Sequence, residues 1–299
     1  MGYADLWGSL MHETGKGFLM YFSGIADEAG GDIQTQIKAH RQLGWKHIEL
    51  RNVSGIGVAD LSDRAFDETI EQVSKAGLAV SCFASQLCNW GRPIAIHPDV
   101  DRHELERAIP RMKRVGCRYI RIMSYPNAGW PEQEWRDEVF ARLRTLARMA
   151  EEAGVTLVHE NCDGWGGQGP EQTLRMLEAV GSPNLGLLWD TGNPVAHEQD
   201  PWQYYAAVRE HVVYVHIKDG VREDGGMRYT YAGEGDGDVE RVLGDLLERG
   251  YDGAVSIEPH LAAVVHEGKA ASEAQSAYDR YVEYGRRLMG LVDRLEQGC

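Results

Sequence analysis

Eight times along this chain a short apolar run is followed by a longer stretch in which apolar residues recur three or four positions apart. Strand then helix, repeated without interruption, restricts a chain to a parallel sheet wrapped by helices, because parallel neighbours need a crossover and a helix supplies it. The strand-like runs are Phe18 to Ile25, His47 to Leu50, Leu78 to Ala84, Tyr119 to Met123, Thr156 to Glu160, Leu185 to Asp190, Val212 to Ile217 and Ala254 to Glu258. Helical spacing joins Ile33, Ile37, His40 and Leu43, then Phe66, Ile70 and Val73, then Val139, Leu143, Leu146 and Ala150. Gly44, Gly77, Gly116, Gly154, Gly181 and Gly250 stand just past the last apolar position of a helix, where a left-handed cap favours glycine. Pro110 is expected to start or kink the third helix, and Ser272 to Leu295 reads as a long C-terminal helix. Eight such units with no Pro-, Ser- or charge-rich linker predict one (β/α)8 TIM barrel over residues 18–299 with an extra C-terminal helix, and residues 1–17 as a tail or strap.

An open, doubly wound sheet is the competing architecture. The turn after the first strand, Gly24-Ile25-Ala26-Asp27-Glu28-Ala29-Gly30-Gly31, lacks the G-x-G-x-x-G spacing that a dinucleotide pyrophosphate requires. Gly164-Trp165-Gly166-Gly167-Gln168-Gly169 has no Lys-Ser/Thr ending and reads as a flexible active-site loop rather than a phosphate loop. A net charge of -15 argues against a nucleic-acid groove, whose affinity rests on Lys and Arg. Five scattered cysteines without a C-x-x-C pair fit free thiols in a reducing compartment. No secretory leader or membrane-length apolar run is seen, so the expected setting is the cytoplasm, with no membrane partner.

The last four strand-like runs each end in a metal-competent residue: Glu160, Asp190, His216 and Glu258. Their separations of 30, 26 and 42 residues are each about one strand-helix unit, so in a barrel they converge on the C-terminal mouth from neighbouring strands. Alternation places Thr156, Val158 and Glu160 on one face, and likewise Gly186, Leu188 and Asp190, then Val212, Tyr214 and His216, then Ala254, Ser256 and Glu258. A lone polar strand end usually satisfies a loop; four in register on consecutive strands point to a shared site. Three carboxylates and one imidazole suit one divalent ion with open positions, Mn2+ first, with Mg2+, Co2+ or Fe2+ as alternatives, over a structural zinc. Such an ion can hold a hydroxyl and a ketone together and stabilise an enediolate as a proton leaves. Glu160 and Glu258, arriving from the fifth and eighth strands, could abstract and return that proton from opposite faces.

Val158-His159-Glu160-Asn161, Trp189-Asp190-Thr191-Gly192-Asn193, Val215-His216-Ile217-Lys218-Asp219-Gly220-Val221-Arg222 and Ser256-Ile257-Glu258-Pro259 resemble the metal-binding strand ends of the xylose-isomerase-like superfamily, which includes D-tagatose 3-epimerases and inosose dehydratases. Gly233-Glu234-Gly235-Asp236-Gly237-Asp238 resembles the loop between its last two strands. The resemblance implies a single metal held by Glu160, Asp190, His216 and Glu258, with the glutamates as acid/base pair, and it places Arg222 where the epimerases direct an arginine at substrate. Two departures put a ketohexose 3-epimerase in doubt. Asn193 stands where those enzymes carry His, and the Gly164–Gly167 loop stands where they carry a further Glu.

Further candidates for substrate contact are Asn193, Lys218, Trp165 and His159. Lys218 and Asp219 read as a pair holding the following loop, and strict alternation turns His159 toward the helices unless the frayed strand end lets it turn inward. Trp90, Trp130 and Trp165 could form an aromatic wall; Glu28, Gln86 and Asn89 are weaker candidates, and His260 lies two residues beyond Glu258. The function expected from these residues is a metal-dependent isomerase or epimerase of a free sugar, cyclitol or keto-sugar. A lyase begins with the same proton abstraction: an inosose-type dehydratase, or a C-glycoside deglycosidase on a 3-keto-glycoside with a small partner subunit. An endonuclease IV-like phosphodiesterase and a non-catalytic sugar-binding barrel rank lower, since only one metal histidine is convincing and the chain is acidic. The long last helix offers surface for a homo-oligomer.

Overall fold

The computed structural model of the chain describes residues 20–223, 226–261 and 271–298, so residues 1–17 lie outside the described part. Eight parallel strands form the sheet: β1 Tyr21–Gly24, β2 His47–Leu50, β3 Ala79–Phe83, β4 Tyr119–Ser124, β5 Thr156–Gly164, β6 Leu185–Asp190, β7 Val212–Ile217 and β8 Ala254–Ile257. They pair in the order β1-β8-β7-β6-β5-β4-β3-β2, and a parallel bridge from Ile25 to Glu49 joins the two ends. The sheet is therefore the expected TIM barrel. The helices are α1 Ile33–Gln42, α2 Asp63–Lys75, α3 Asp99–Val115, α4 Glu132–Ala153, α5 Pro170–Val180, the single turn α6 Asn193–Ala196, α7 Pro201–Val208, α8 Val239–Glu248 and α9 Ala271–Gly298.

Alternation along each strand sorts side chains between two cores. Ile48, Phe83, Ile120, Ile122 and Leu157 point outward and pack against Phe66, Leu105, Met112, Val139, Leu143 and Leu146 of the helices. On the other half, Trp189, Val215, Ile217, Val255 and Ile257 meet Tyr204, Tyr205, Val242, Leu246, Tyr281 and Leu288. Each such side chain contributes about 1.5–3 kcal/mol by leaving water. Inside the barrel Cys82, Val158, Leu188, Tyr214 and Ala254 pack with Tyr21 and Tyr119. The long C-terminal helix is present as α9; it lies against α1 and α8 and buries Tyr281, Tyr284, Leu288 and Val292 on the barrel.

One local expectation is narrowed and one comes out differently. Pro110 does not start α3; of the two expected roles, its place inside the helix, which runs from Asp99 to Val115, leaves the kink. The Gly164–Gly169 segment is packed rather than loose. β5 continues through Gly164, and Trp165–Gly167 form a buried 3-10 turn whose Gly166 N–H donates to Ser124 Oγ at 2.8 Å. A Cβ on Gly167 would stand 1.6 Å from the Cys162 carbonyl oxygen, so the glycine there answers a close backbone approach. The expected C-caps hold: Gly116 and Gly154, for example, take φ of 68° and 72° at the ends of α3 and α4.

Candidate active site

Strand register staggers the expected ligands around the mouth, with Glu160 of β5 opposite Leu188 of β6, two residues before Asp190. Asp190 pairs with His216 across β6 and β7, and His216 with Ser256 across β7 and β8. Glu160 projects inward from β5 and Glu258 follows β8 directly. All four are buried, and one ligand atom from each lies within 4.8 Å of the others. His216 Nδ1 is 3.5 Å from both Glu160 Oε1 and Glu258 Oε2. Asp190 is aimed by its backbone: Oδ1 accepts the N–H groups of Gly192 at 2.9 Å and Asn193 at 2.7 Å, and Asn161 exchanges two hydrogen bonds with the Asp190 main chain.

A second tier of groups surrounds these four, and most carry no signal at a strand end. Glu49, inward on β2, lies 3.1 Å from His216 Nε2. Arg121, inward on β4, approaches Glu160 Oε2 at 3.4 Å and Glu258 Oε1 at 3.9 Å. Arg51 bonds Asp27 at 3.0 Å and Glu258 at 3.2 Å, and His260 Nε2 lies 3.2 Å from Glu258 and 3.3 Å from Glu28. His260 holds a left-handed backbone, φ 50°, an uncommon conformation of the kind that clusters at functional sites. Lys218 is drawn in further than a loop-holding role requires. Its Nζ is 3.0 Å from Asp190 Oδ2 and 3.2 Å from Glu258 Oε2. Of the two residues, Asp219 is the one whose side chain holds the loop, accepting N–H bonds from Gly233, Gly235 and Gly237 at 2.8–3.0 Å.

Burial would raise the Glu160 carboxyl, but Arg121 and His216 outweigh it and hold the group down at about 2. Burial likewise acts upward on Glu258, and Lys218 and His260 hold it well below the carboxylate range. Asp190 goes the other way, raised by burial to about 6 despite Lys218, with Glu258 and Glu160 adding to the rise. Burial alone would lower Lys218, yet Asp190, Glu258 and Glu160 keep its ammonium well above its ordinary value. Such displaced values, concentrated in one cleft, mark a candidate functional site.

The remaining expected contacts divide. Asn193 faces the cluster, its Nδ2 3.4 Å from Glu160 Oε1. His159 points into the helix layer, with Nε2 3.0 Å from Ser124 Oγ, and burial lowers it to about 4. Its inward turn at a frayed strand end does not occur, because β5 continues to Gly164. Trp165 packs on Phe140 within the outer core and donates from Nε1 to Glu132 Oε1 at 2.8 Å. Of the three tryptophans, Trp165 is buried, Trp130 packs on the outer core and Trp90 is 64% exposed. Arg222 is exposed on a hairpin of Asp219–Glu223 and Gly226–Thr230 and donates to the Val195 carbonyl at 3.0 Å. Gln86 and Asn89 are engaged in their own loop.

The site chemistry suits a divalent ion. Glu160 Oε2, Asp190 Oδ2 and His216 Nδ1 are buried and make no hydrogen bond, the two carboxylate oxygens meeting only the charges of Arg121 at 3.4 Å and Lys218 at 3.0 Å, and they belong to three of the four converging residues. Lone pairs so left cost about 1–3 kcal/mol each unless another acceptor of lone pairs, such as a cation, satisfies them. Among the described residues six carboxylates in and just beneath the mouth (Asp27, Glu28, Glu49, Glu160, Asp190, Glu258) face three permanent cations (Arg51, Arg121, Lys218), which leaves room for positive charge. No helix among the described residues is long and apolar enough to cross a membrane.

Comparison with known proteins points to the same fold. Inosose dehydratase of Clostridium tetani is 28% identical over 143 residues, 42% of this chain and 47% of that protein. A 2-epi-5-epi-valiolone 7-phosphate 2-epimerase of an Actinoplanes species is 28% identical over 170 residues, 56% of this chain and 60% of its own length. The chain spans about half the length of the curated relatives it matches. A xylose isomerase-like TIM barrel protein from Mycobacterium smegmatis, solved in complex with magnesium, shares the fold with a TM-score of 0.62 at 20% identity, over 93% of this chain and 98% of that one. The family model of the xylose isomerase-like TIM barrel matches residues 37–281, most of the barrel, and the chain belongs to that family.

Proposed function

We propose that the protein is a divalent-metal-dependent isomerase or epimerase of a small sugar, cyclitol or keto-sugar that works by removing a proton next to a carbonyl. The observation that carries this reading is the pair Glu160 and Glu258, delivered from β5 and from the end of β8, each 3.5 Å from the same His216 nitrogen. The ion, Mn2+ first with Mg2+, Co2+ or Fe2+ as alternatives, would be held by Glu160, Asp190, His216 and Glu258 and would supply Lewis acidity toward substrate oxygens. Glu160, kept ionised by Arg121, is suited to take the proton, and Glu258 to return one. The Lys218 ammonium and the Arg121 guanidinium add positive charge where a substrate oxygen becomes negative. Asn193 Nδ2, beside Glu160, is a donor for a substrate hydroxyl, and Arg222 at the rim is a second.

A lyase reading is favoured by one feature, the Lys218 Nζ at 3.2 Å from Glu258, because elimination needs a proton donor for the departing oxygen beside the base. The inosose dehydratase relative fits the same chemistry. Both readings are tested by incubating Mn2+-loaded protein with ketohexoses and inososes in deuterated water. Exchange beside the carbonyl is expected with at least one compound and is lost in Glu160→Gln or Glu258→Gln; an epimer or an unsaturated product then assigns the class. Exchange that persists undiminished in both variants would sink the assignment of the glutamates. Sedimentation of the purified protein tests the expected homo-oligomer, which a monomer mass would exclude.

A further inference from the structure

Below the four converging residues, five strands contribute to a chain of hydrogen bonds that the proton-abstraction reading does not use. Glu49 of β2 is fully buried, and its Oε2 lies 2.9 Å from the Tyr214 hydroxyl of β7 and 2.6 Å from Ser256 Oγ of β8. Both of its oxygens lie 3.1 Å from His216 Nε2. Tyr214 OH is in turn 3.0 Å from Ser81 Oγ of β3, and Ser81 Oγ is 2.8 Å from Ser23 Oγ of β1.

The direction of this chain follows from chemistry. An ionised carboxylate only accepts, so the Tyr214 and Ser256 hydroxyls donate to Glu49. With its one hydrogen committed, Tyr214 can only accept from Ser81, and Ser81 in turn accepts from Ser23. Every O–H therefore points toward Glu49. The same logic places a hydrogen on His216 Nε2. What remains is Nδ1, the nitrogen that faces Glu160 and Glu258 at 3.5 Å and has no hydrogen-bond partner. A carboxylate buried at the centre of a barrel costs several kcal/mol unless it is well bonded, and three donors supply that bonding while turning one imidazole lone pair to the mouth.

We infer that Glu49 is a positioning residue for the divalent-ion site, holding His216 with Nε2–H toward the barrel interior so that Nδ1 is presented to the ion. This rests on the metal-binding reading proposed above. Outer partners of this kind typically change metal affinity 10–100-fold when removed.

The test is Mn2+ titration calorimetry at pH 7 on wild type, Glu49→Gln, Ser256→Ala and Ser23→Ala, with unfolding temperature recorded for each. Glu49→Gln is expected to weaken Mn2+ binding about 10–100-fold. Ser256→Ala, which removes one donor and leaves the carboxylate, should weaken it less. Ser23→Ala, at the far end of the chain, should lower the unfolding temperature without moving the affinity. Nitrogen-15 spectra of the Mg2+-loaded protein should show His216 protonated on Nε2 in wild type and a mixture of tautomers in Glu49→Gln. If Glu49→Gln fails to fold, Ser256→Ala together with Tyr214→Phe carries the same comparison. Wild type that binds no Mn2+ would overturn the metal reading and this inference with it. Tight wild-type binding left unchanged by Glu49→Gln, with the Nε2–H tautomer intact, would overturn the role of Glu49 alone.

Discussion

Asp219 offers a perturbation whose size can be worked out from its contacts. The residue is buried, and its carboxylate accepts four backbone N–H groups. Oδ1 takes Gly220 at 2.9 Å and Gly237 at 3.0 Å, and Oδ2 takes Gly233 at 2.8 Å and Gly235 at 3.0 Å. Asparagine fills the same volume. Whichever way its amide is turned, however, an NH2 group faces two of the four N–H donors. Each stranded donor costs about 1–3 kcal/mol, so the pair costs about 4 kcal/mol, and the two surviving bonds lose their charge assistance as well. For a domain of this size that corresponds to a fall in unfolding temperature of roughly 8 °C. Urea unfolding followed by tryptophan fluorescence, together with calorimetry at pH 7, would measure it. Gly235→Ala should act through the same contact, because its Cβ would stand 2.4 Å from Asp219 Oδ1 and 2.6 Å from the Gly220 nitrogen. The double variant should therefore lose less than the two single losses added together. A loss of under about 1 kcal/mol in Asp219→Asn would refute the reasoning, since the four N–H groups would then have found other partners.

Lys218→Met removes the ammonium that lies 3.0 Å from Asp190 and 3.2 Å from Glu258, leaving two buried carboxylates without that counter-charge. The metal-free protein should lose several degrees of unfolding temperature, on the order of 2–3 kcal/mol, and added Mn2+ should raise it by more than in wild type; equal shifts in the two proteins would argue against the pairing. His40 is buried neutral, with burial pushing it down to about 4. The unfolded chain therefore takes up a proton near pH 6.5 that the folded one refuses, so stability falls as pH drops from about 6.5 to about 4, by on the order of 3 kcal/mol for this group. His40→Gln should flatten that part of the stability curve, and an unaltered slope would contradict it. Gly167→Ala should abolish soluble expression or destabilise the fold by more than about 3 kcal/mol, because nothing near the Cys162 carbonyl can move aside cheaply; a normally stable variant would show that the turn can open.

The barrel and its four converging residues are legible in the sequence because both rest on periodicity. Strand runs recur at one-unit spacing, and a polar residue ending an apolar run stands out. Glu49 and Arg121 do not stand out in that way. Each sits inside a short strand, Glu49 between Ile48 and Leu50 and Arg121 between Ile120 and Ile122, so each reads as the polar half of an alternating pattern. Only closure of the sheet turns that half inward, and the partners across the barrel, Glu160 for Arg121 and His216 for Glu49, are far apart in sequence. Trp165 misleads in the opposite sense. An aromatic in a glycine-rich stretch after a strand suggests a mobile wall, but glycine at 166 and 167 instead lets the backbone collapse onto Ser124 and Cys162 and swings the indole toward Phe140.

The barrel interior grades from apolar to charged along its axis, and the gradient explains why so many ions sit at one end. Tyr21, Tyr119, Val158, Leu188 and Ala254 fill the lower part. Above them comes the hydroxyl tier of Ser23, Ser81, Tyr214 and Ser256, whose hydrogen bonds lead to Glu49. Only then come His216, the three remaining ligand carboxylates, Lys218 and Arg121. A charge placed at the lower level would find neither water nor a partner, whereas at the mouth each carboxylate finds an arginine, a lysine or a histidine within about 4 Å. The hydroxyl tier lets the gradient pass from one regime to the other without stranding a polar atom, since each O–H is used as donor toward the charged end. A substitution that removes the Tyr214 or Ser256 hydroxyl, the two that donate directly to Glu49, should therefore be felt at His216 more than at the apolar floor beneath it.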